Sequence, residues 1–405
     1  MRSLASEAKA AREALVLDAA AIEFNRVGVA AASLAGIARD VGLSRAGLYN
    51  YCADREDLAC KAYVRACDLT GADLERARMG AGSGADQLQT FLRFALSLDH
   101  PPMAALTDLS ALAPAQQAEV RQARVRNVES LSALLEAGVA DGSLRAHNAE
   151  LACQTIWGLL AWAPLARTWT GEDDDAFAIR MAAALPELLL RGIAAGALPP
   201  DPAPVNLLAE RVPAYAEIDA RHGDLLAKGS LLFNQRGVDG VSLEDVAGAV
   251  GATKGLVYHR HKSKPAFVAA CYDRAFDLYD AIMAVSDTGA RGVDGGRLGM
   301  ELNIQAQLCA TPPLSLSAGF ELLTRDERER FTARTRILRA KATEHGRRGV
   351  RDGSLRPYDL EPVSLASAGV FSYLAKWPLR SNLPAAEIAR QAADIFLYGL
   401  GGQTR

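Results

Sequence analysis

Leu17, Ala20, Ala21 and Phe24 recur at the spacing of one face of a helix, and Gly28 follows as its stop. Leu34, Ile37, Ala38 and Val41 then form a second apolar face, which Gly42 ends. Ser44 is placed to cap a third helix through its side-chain oxygen, and Leu48 faces back toward the second. A small residue at Ala38 lets two helices cross closely, and Gly42 permits the tight turn between them. The pattern predicts a helix-turn-helix. Downstream the chain reads as long amphipathic helices with short polar breaks. These include a Gly-rich loop at Ser83 and Gly84, a counterpart at Gly295 and Gly296, and a solvated charge run at Glu172–Asp175.

The same pattern returns about 210 residues later. FNRVGVAAASLAGIARDVGLSRAGLYNY, from Phe24, aligns without a gap on FNQRGVDGVSLEDVAGAVGATKGLVYHR, from Phe233. Leu226, Gly229 and Phe233 lead to a stop at Gly237; Gly229, inside its helix, should weaken it. Leu243, Val246, Ala247 and Val250 form the next face, with Gly251 at the turn, Thr253 as cap and Val257 as inward anchor. Pro101-Pro102 matches Pro312-Pro313, GVADGSLR from Gly138 matches GVRDGSLR from Gly349, and TIWGLLAWAPLA matches AGVFSYLAKWPL. Agreement at start, middle and end marks a duplicated unit of roughly 200 residues. The prolines of GALPPDPAPVN, from Gly196, predict an extended spacer between copies. The expected division is a head over 1–60, a body over 61–198, a linker over 199–210, a second head over 211–269 and a second body over 270–405. The fold class is all-α. The closing apolar segments of each copy, Glu150–Pro164 with Phe177–Ile193 and Leu360–Trp377 with Ala385–Leu400, suit a helix-helix interface.

Half of the 405 residues are hydrophobic, enough to bury sizeable cores, and only 6% are aromatic. The net charge of −3 is no signature of a nucleic-acid binder, but DNA responds to the local field of one face. Six scattered cysteines without a C-x-x-C pair suggest neither disulfides nor a zinc site, and fit a reducing cytoplasm. The N-terminus has no signal-peptide pattern, and Leu151–Ala166, broken by Gln154 and Pro164, reads as a buried helix rather than a membrane span. No catalytic motif, metal-ligand set or cofactor loop occurs at diagnostic spacing.

The second helix of each motif offers groups suited to double-stranded DNA. Copy one presents Arg45, Tyr49, Asn50 and Tyr51, with Arg55 beyond. Copy two presents Lys254, Tyr258, His259 and Arg260, with Lys262 and Lys264. Arg, Lys and Asn pair with base edges, whereas Ser, Thr, Tyr and Lys tether phosphates. A basic, aromatic and merely solvated helix end is the alternative reading of each.

The pattern S-L-x-x-[IV]-A-x-x-V-G-x-[ST]-[RK]-x-x-[LV]-Y, after a Phe and a Gly, resembles the DNA-binding domain of the TetR family over roughly 50 residues of each copy. The resemblance implies a three-helix head on a six-helix ligand-binding body, whose last two helices form a dimer bundle. It implies phosphate contacts at Ser33 and Ser242 and at Tyr49 and Tyr258. It places Arg45 and Lys254 on the exposed recognition helix, and Arg55 and Lys264 at the opening of the fourth helix. Cys52-Ala53-Asp54 departs from the family's aromatic-Lys-Ser, and His261 replaces the aromatic in copy two.

A family body implies an apolar pocket for a small, largely apolar effector. Phe91, Phe94, Trp157 and Trp162 are the candidates in copy one, and Phe320, Phe371, Tyr373 and Trp377 in copy two, although such residues are individually more often plain core. The expected function is a ligand-responsive repressor with two unlike heads in an intrachain pseudo-dimer, open to further homodimerisation. The rival is a helical ligand-binding or scaffolding protein with degenerate heads.

Overall fold

The computed structural model describes residues 4–106, 108–170, 175–199, 203–212, 220–316, 318–377 and 379–402. The described residues are helical, with no strand beyond two isolated bridges. Copy one holds α1 (Leu4–Ala31), α2 (Leu34–Asp40), α3 (Arg45–Leu48), α4 (Arg55–Met79), α5 (Gly84–Ala95), α6 (Pro114–Ala140), α7 (Ala149–Thr170) and α8 (Asp175–Arg191). A short α9 (Leu207–Arg211) precedes copy two. That copy holds α10 (Ala220–Arg236), α11 (Leu243–Ala249), α12 (Lys254–Arg260), α13 (Lys264–Ser286), α14 (Gly292–Leu308), α15 (Arg325–Arg351), α16 (Leu360–Lys376) and α17 (Ala385–Tyr398). The helical run of α1 is interrupted at Gly28, whose φ of 79° and ψ of 166° are non-helical.

Each head has its own core. Val16, Ala20, Phe24, Ile37, Ala38, Leu48 and Leu58 pack together in copy one. Leu226, Phe233, Val246, Ala247, Val257 and Phe267 do so in copy two. The expected borders at 60/61 and 269/270 fall inside α4 and α13, so each head joins its body through one continuous helix.

The bodies share one core, in which Leu131, Trp157 and Leu188 of copy one belong with Val370, Ile388 and Phe396 of copy two. Its centre is the crossing of α7 and α16. Gly158 and Gly369 meet there; a Cβ on Gly158 would lie 2.6 Å from the Gly369 carbonyl, and one on Gly369 would lie 2.3 Å from the Gly158 carbonyl. The two glycines hold equivalent places in the repeat.

The body ends repeat this reciprocity. Arg145 N–H donates to the Leu400 carbonyl and Arg356 N–H to the Ile193 carbonyl, each at 2.9 Å. Arg145 Nε donates to the Gly399 carbonyl at 2.6 Å, and Arg356 Nε to the Gly192 carbonyl at 2.7 Å. The bridges Leu144–Gly401 and Ala194–Leu355 complete the exchange. Gly192 and Gly399 have φ of 63° and 69°, a region in which glycine is at ease, and each backs onto the other copy's chain. Contacts of i with j matched by j with i are the mark of an isologous interface.

Two expectations change. Gly295 and Gly296 lie inside α14 rather than in a loop; Arg291-Gly292 matches Ser83-Gly84, and Gly292 and Gly84 each abut a glycine of the following long helix. The spacer is not extended throughout: Asn206 caps α9, and Gln305 Oε1 accepts from Leu208 N–H at 3.0 Å, docking the segment on α14. Gly229 has a packing role, because a Cβ there would meet the Phe267 ring at 2.4 Å. The charge run at 172–174 lies outside the described residues; Asp175 opens α8.

Candidate nucleic-acid interface and body cavities

In head one, Ser33 caps α2 by accepting from Gly36 N–H at 3.1 Å, and Ser44 caps α3 by accepting from Gly47 N–H at 3.0 Å. Leu48 is fully buried, which turns Arg45, Tyr49 and Asn50 outward and leaves Tyr51 half-buried. Arg55 donates to the Ala30 carbonyl, tying the start of α4 to the end of α1. Asp54 has a local reason to replace the family's serine: its carboxylate caps α4, accepting from Asp57 N–H at 2.8 Å.

In head two, Ser242 and Asp245 form a reciprocal capping box on α11, and Thr253 caps α12 by accepting from Leu256 N–H at 3.4 Å. Val257 is fully buried. Lys254, Tyr258, His259, Arg260 and Lys262 are exposed, and Lys264 is half-buried. Lys254 pairs with Glu244 of α11, which holds its ammonium above the ordinary lysine value, and it lies 5.4 Å from the Tyr258 ring centroid. An exposed pair of this kind is weak and yields readily to a phosphate. His261 fills the place of the family aromatic as a ring. It is buried edge-on against Phe267 at 5.1 Å, and its Nε2 lies 3.0 Å from His222 Nε2. Burial, then the neighbouring His222 and Arg260, push its pKa down.

Each body also holds a cavity. One of about 520 Å³ in copy one is lined by Cys67, Thr70, His100, Arg124, Asn127 and Trp157 among others. One of about 210 Å³ in copy two is lined by Tyr279, Met283, Met300, Leu338 and Phe371 among others. Trp157 lines the first and Phe371 the second. Trp162 and Tyr373 cross over: Trp162 lines the cavity of copy two, and Tyr373 that of copy one. Each lies one helical turn beyond the glycine at which α7 and α16 cross, so it emerges on the far side.

Phe91, Phe94, Phe320 and Trp377 line neither cavity. Phe91 is core, edge-on to Trp157 at 5.8 Å, and Phe94 lies under the Arg76 guanidinium. Phe320 packs 6.0 Å from Tyr272, and Trp377 is buried 4.0 Å from the Arg124 guanidinium. Nothing in the pattern of the sequence singled out Arg124 or His100. Their roles depend on helices that meet only in the folded chain.

The family described as "Bacterial regulatory proteins, tetR family" matches twice, over residues 16–60 and 225–271, and "Tetracyclin repressor-like, C-terminal domain" matches residues 81–169. The chain belongs to the TetR family. It does so as a tandem duplication, and every proposed DNA-facing residue falls within the two head spans. The Transposon Tn10 TetC protein of Escherichia coli is 33% identical over 57 residues, 14% of this chain. The match spans 29% of that relative's length. Among solved structures, the TetR family transcriptional regulator PfmR from Thermus thermophilus is 23% identical, with a TM-score of 0.39. The alignment covers 44% of this TetR-family chain and 98% of PfmR. AibR, solved in complex with isovaleryl coenzyme A and operator DNA, is 22% identical, with 44% and 99% covered and a TM-score of 0.39.

Proposed function

We propose that this TetR-family chain is a DNA-binding transcriptional repressor, acting in the cytoplasm, whose two unlike heads read the two halves of one operator. The observation that carries the reading is the paired exposure of Arg45, Tyr49 and Asn50 on one head and Lys254, Tyr258 and His259 on the other, above bodies that lock reciprocally. The locked bodies act as an intrachain pseudo-dimer. A small effector in a body cavity favours a head separation that no longer fits both half-sites, which requires only that effector and DNA prefer different conformations. Catalysis forms no part of this role.

The pairing of Lys254 with Glu244, together with Ala53-Asp54 in copy one, favours a second reading, a helical ligand-binding scaffold whose heads no longer hold DNA. Footprinting the full chain on DNA selected from a random library, at several salt concentrations, separates the two. A protected site whose affinity falls steeply with salt supports the regulator, because phosphate contacts release counterions. Absence of any protected site supports the scaffold.

A further inference from the structure

Among the described residues, the cavity of copy one contains a cation without a counter-ion. Arg124, on α6, is 8% exposed and lines the cavity. Its Nε donates to the Tyr373 hydroxyl at 3.1 Å and its Nη2 to Gln154 Oε1 at 2.5 Å. Both partners are neutral, and no carboxylate lies within ion-pair distance of Arg124 among the described residues. The stacked Trp377 ring, 4.0 Å from the guanidinium, offsets part of the desolvation. A guanidinium cannot shed its proton, so a buried one is costly until an anion reaches it.

The rest of the described lining adds no negative charge. His100 faces two acceptors, the Pro101 carbonyl at 2.8 Å and Asp73 Oδ2 at 2.9 Å, and the hydrogen bond to Asp73 comes first among the causes that raise its pKa. No Asp or Glu lines this cavity among the described residues. Trp157, Leu160, Phe177 and Met181 provide apolar wall. Copy two does not repeat the arrangement. With Gly138 and Gly349 as the reference pair of the repeat, Thr335 stands in place of Arg124, Leu365 in place of Gln154 and Thr311 in place of His100.

We propose that the cavity of copy one binds a small organic carboxylate with an apolar tail, the carboxylate on Arg124 and the tail against Trp157, Phe177 and Met181, one per chain. This rests on the reading of the bodies as effector sites and names the effector's class. Tyr373 comes from the other copy, and Cys67 and Thr70 lie on the helix that continues from head one, so the same carboxylate touches both halves of the chain.

The test is calorimetric titration of the full chain with straight-chain carboxylates from butyrate to dodecanoate and with the matching alcohols, without DNA. Octanoate is expected to bind at one site per chain and at least roughly tenfold more tightly than 1-octanol, since charge-assisted hydrogen bonds to a buried cation exceed neutral ones. Arg124→Met should erase that preference and Arg124→Lys should retain part of it, with helicity checked by circular dichroism. Equal affinity for octanol and octanoate, an octanoate affinity unmoved by Arg124→Met, or no carboxylate bound at all would each overturn the proposal. If Arg124→Met does not fold, the octanoate-octanol comparison on the parent chain decides. Footprinting on the same preparations keeps the two readings apart: DNA protected without carboxylate binding sinks only this inference, and carboxylate binding without protected DNA sinks only the regulator.

Discussion

Ala20 and Leu58 of head one stand where head two has Gly229 and Phe267. Ala20, Leu58 and Phe267 are all fully buried, so one copy has exchanged a methyl on the first helix for a larger ring on the fourth. Leu58→Phe alone should overpack head one and cost about 1–3 kcal/mol, while adding Ala20→Gly should recover part of the loss. Urea denaturation of the single and double variants measures the coupling; additive effects would contradict the compensation. His100 gives a pH prediction. Its hydrogen bond to Asp73 comes first among the causes that raise its pKa above 6.5. A raised folded-state pKa stabilises fully below 6.5 and loses that contribution as pH climbs through the folded value. The difference in Tm between the parent and His100→Gln should therefore be largest at the acidic side of that window and shrink as pH rises past it. A difference that grows with pH would show that His100 is not charged in the fold.

At the scale of elements, the helices and their caps were legible because their causes are local. Ser44 and Thr253 cap the helices that the apolar spacing places after them, and Gly28 interrupts its helix where the pattern stops. The exchange of Trp162 and Tyr373 between cavities was not legible, because it depends on where α7 and α16 cross rather than on either helix alone. Arg124 was hidden for the same reason: its partners Gln154 and Tyr373 are distant in sequence, and only packing makes it a buried cation. Gly295 and Gly296 misled because a glycine pair resembles a loop, whereas Gly295 here lets the Ser286 carbonyl and Arg348 approach α14. The crossing itself is testable. Gly158→Val would drive side-chain atoms into the Gly369 backbone, which cannot withdraw as a flexible side chain can. A loss of about 1–3 kcal/mol in the stability of the body core is expected, read as a lower urea midpoint of Trp fluorescence. A wild-type midpoint would mean that α7 and α16 do not meet at these glycines.

For the whole molecule, the two proposed recognition surfaces are unlike, since Asn50 and Tyr51 answer to His259 and Arg260. One chain of 43.0 kDa should protect two different half-sites on one face of the duplex. Arg45→Ala should weaken specific binding by about 1–3 kcal/mol and relax one half-site, and Lys254→Ala should do the same at the other. Footprints and binding curves on duplexes altered in one half at a time check the assignment; two variants with the same altered half would refute it. The reciprocal lock of Arg145 and Arg356 has a further consequence. Two separate subunits must find each other before they can read DNA, and their pairing fails on dilution. In the proposed pseudo-dimer the equivalent pairing is unimolecular, so it survives at any concentration of the chain. A regulator built this way stays assembled at a handful of copies per cell, and its occupancy of DNA should rise in simple proportion to how many are made rather than with the square of that number.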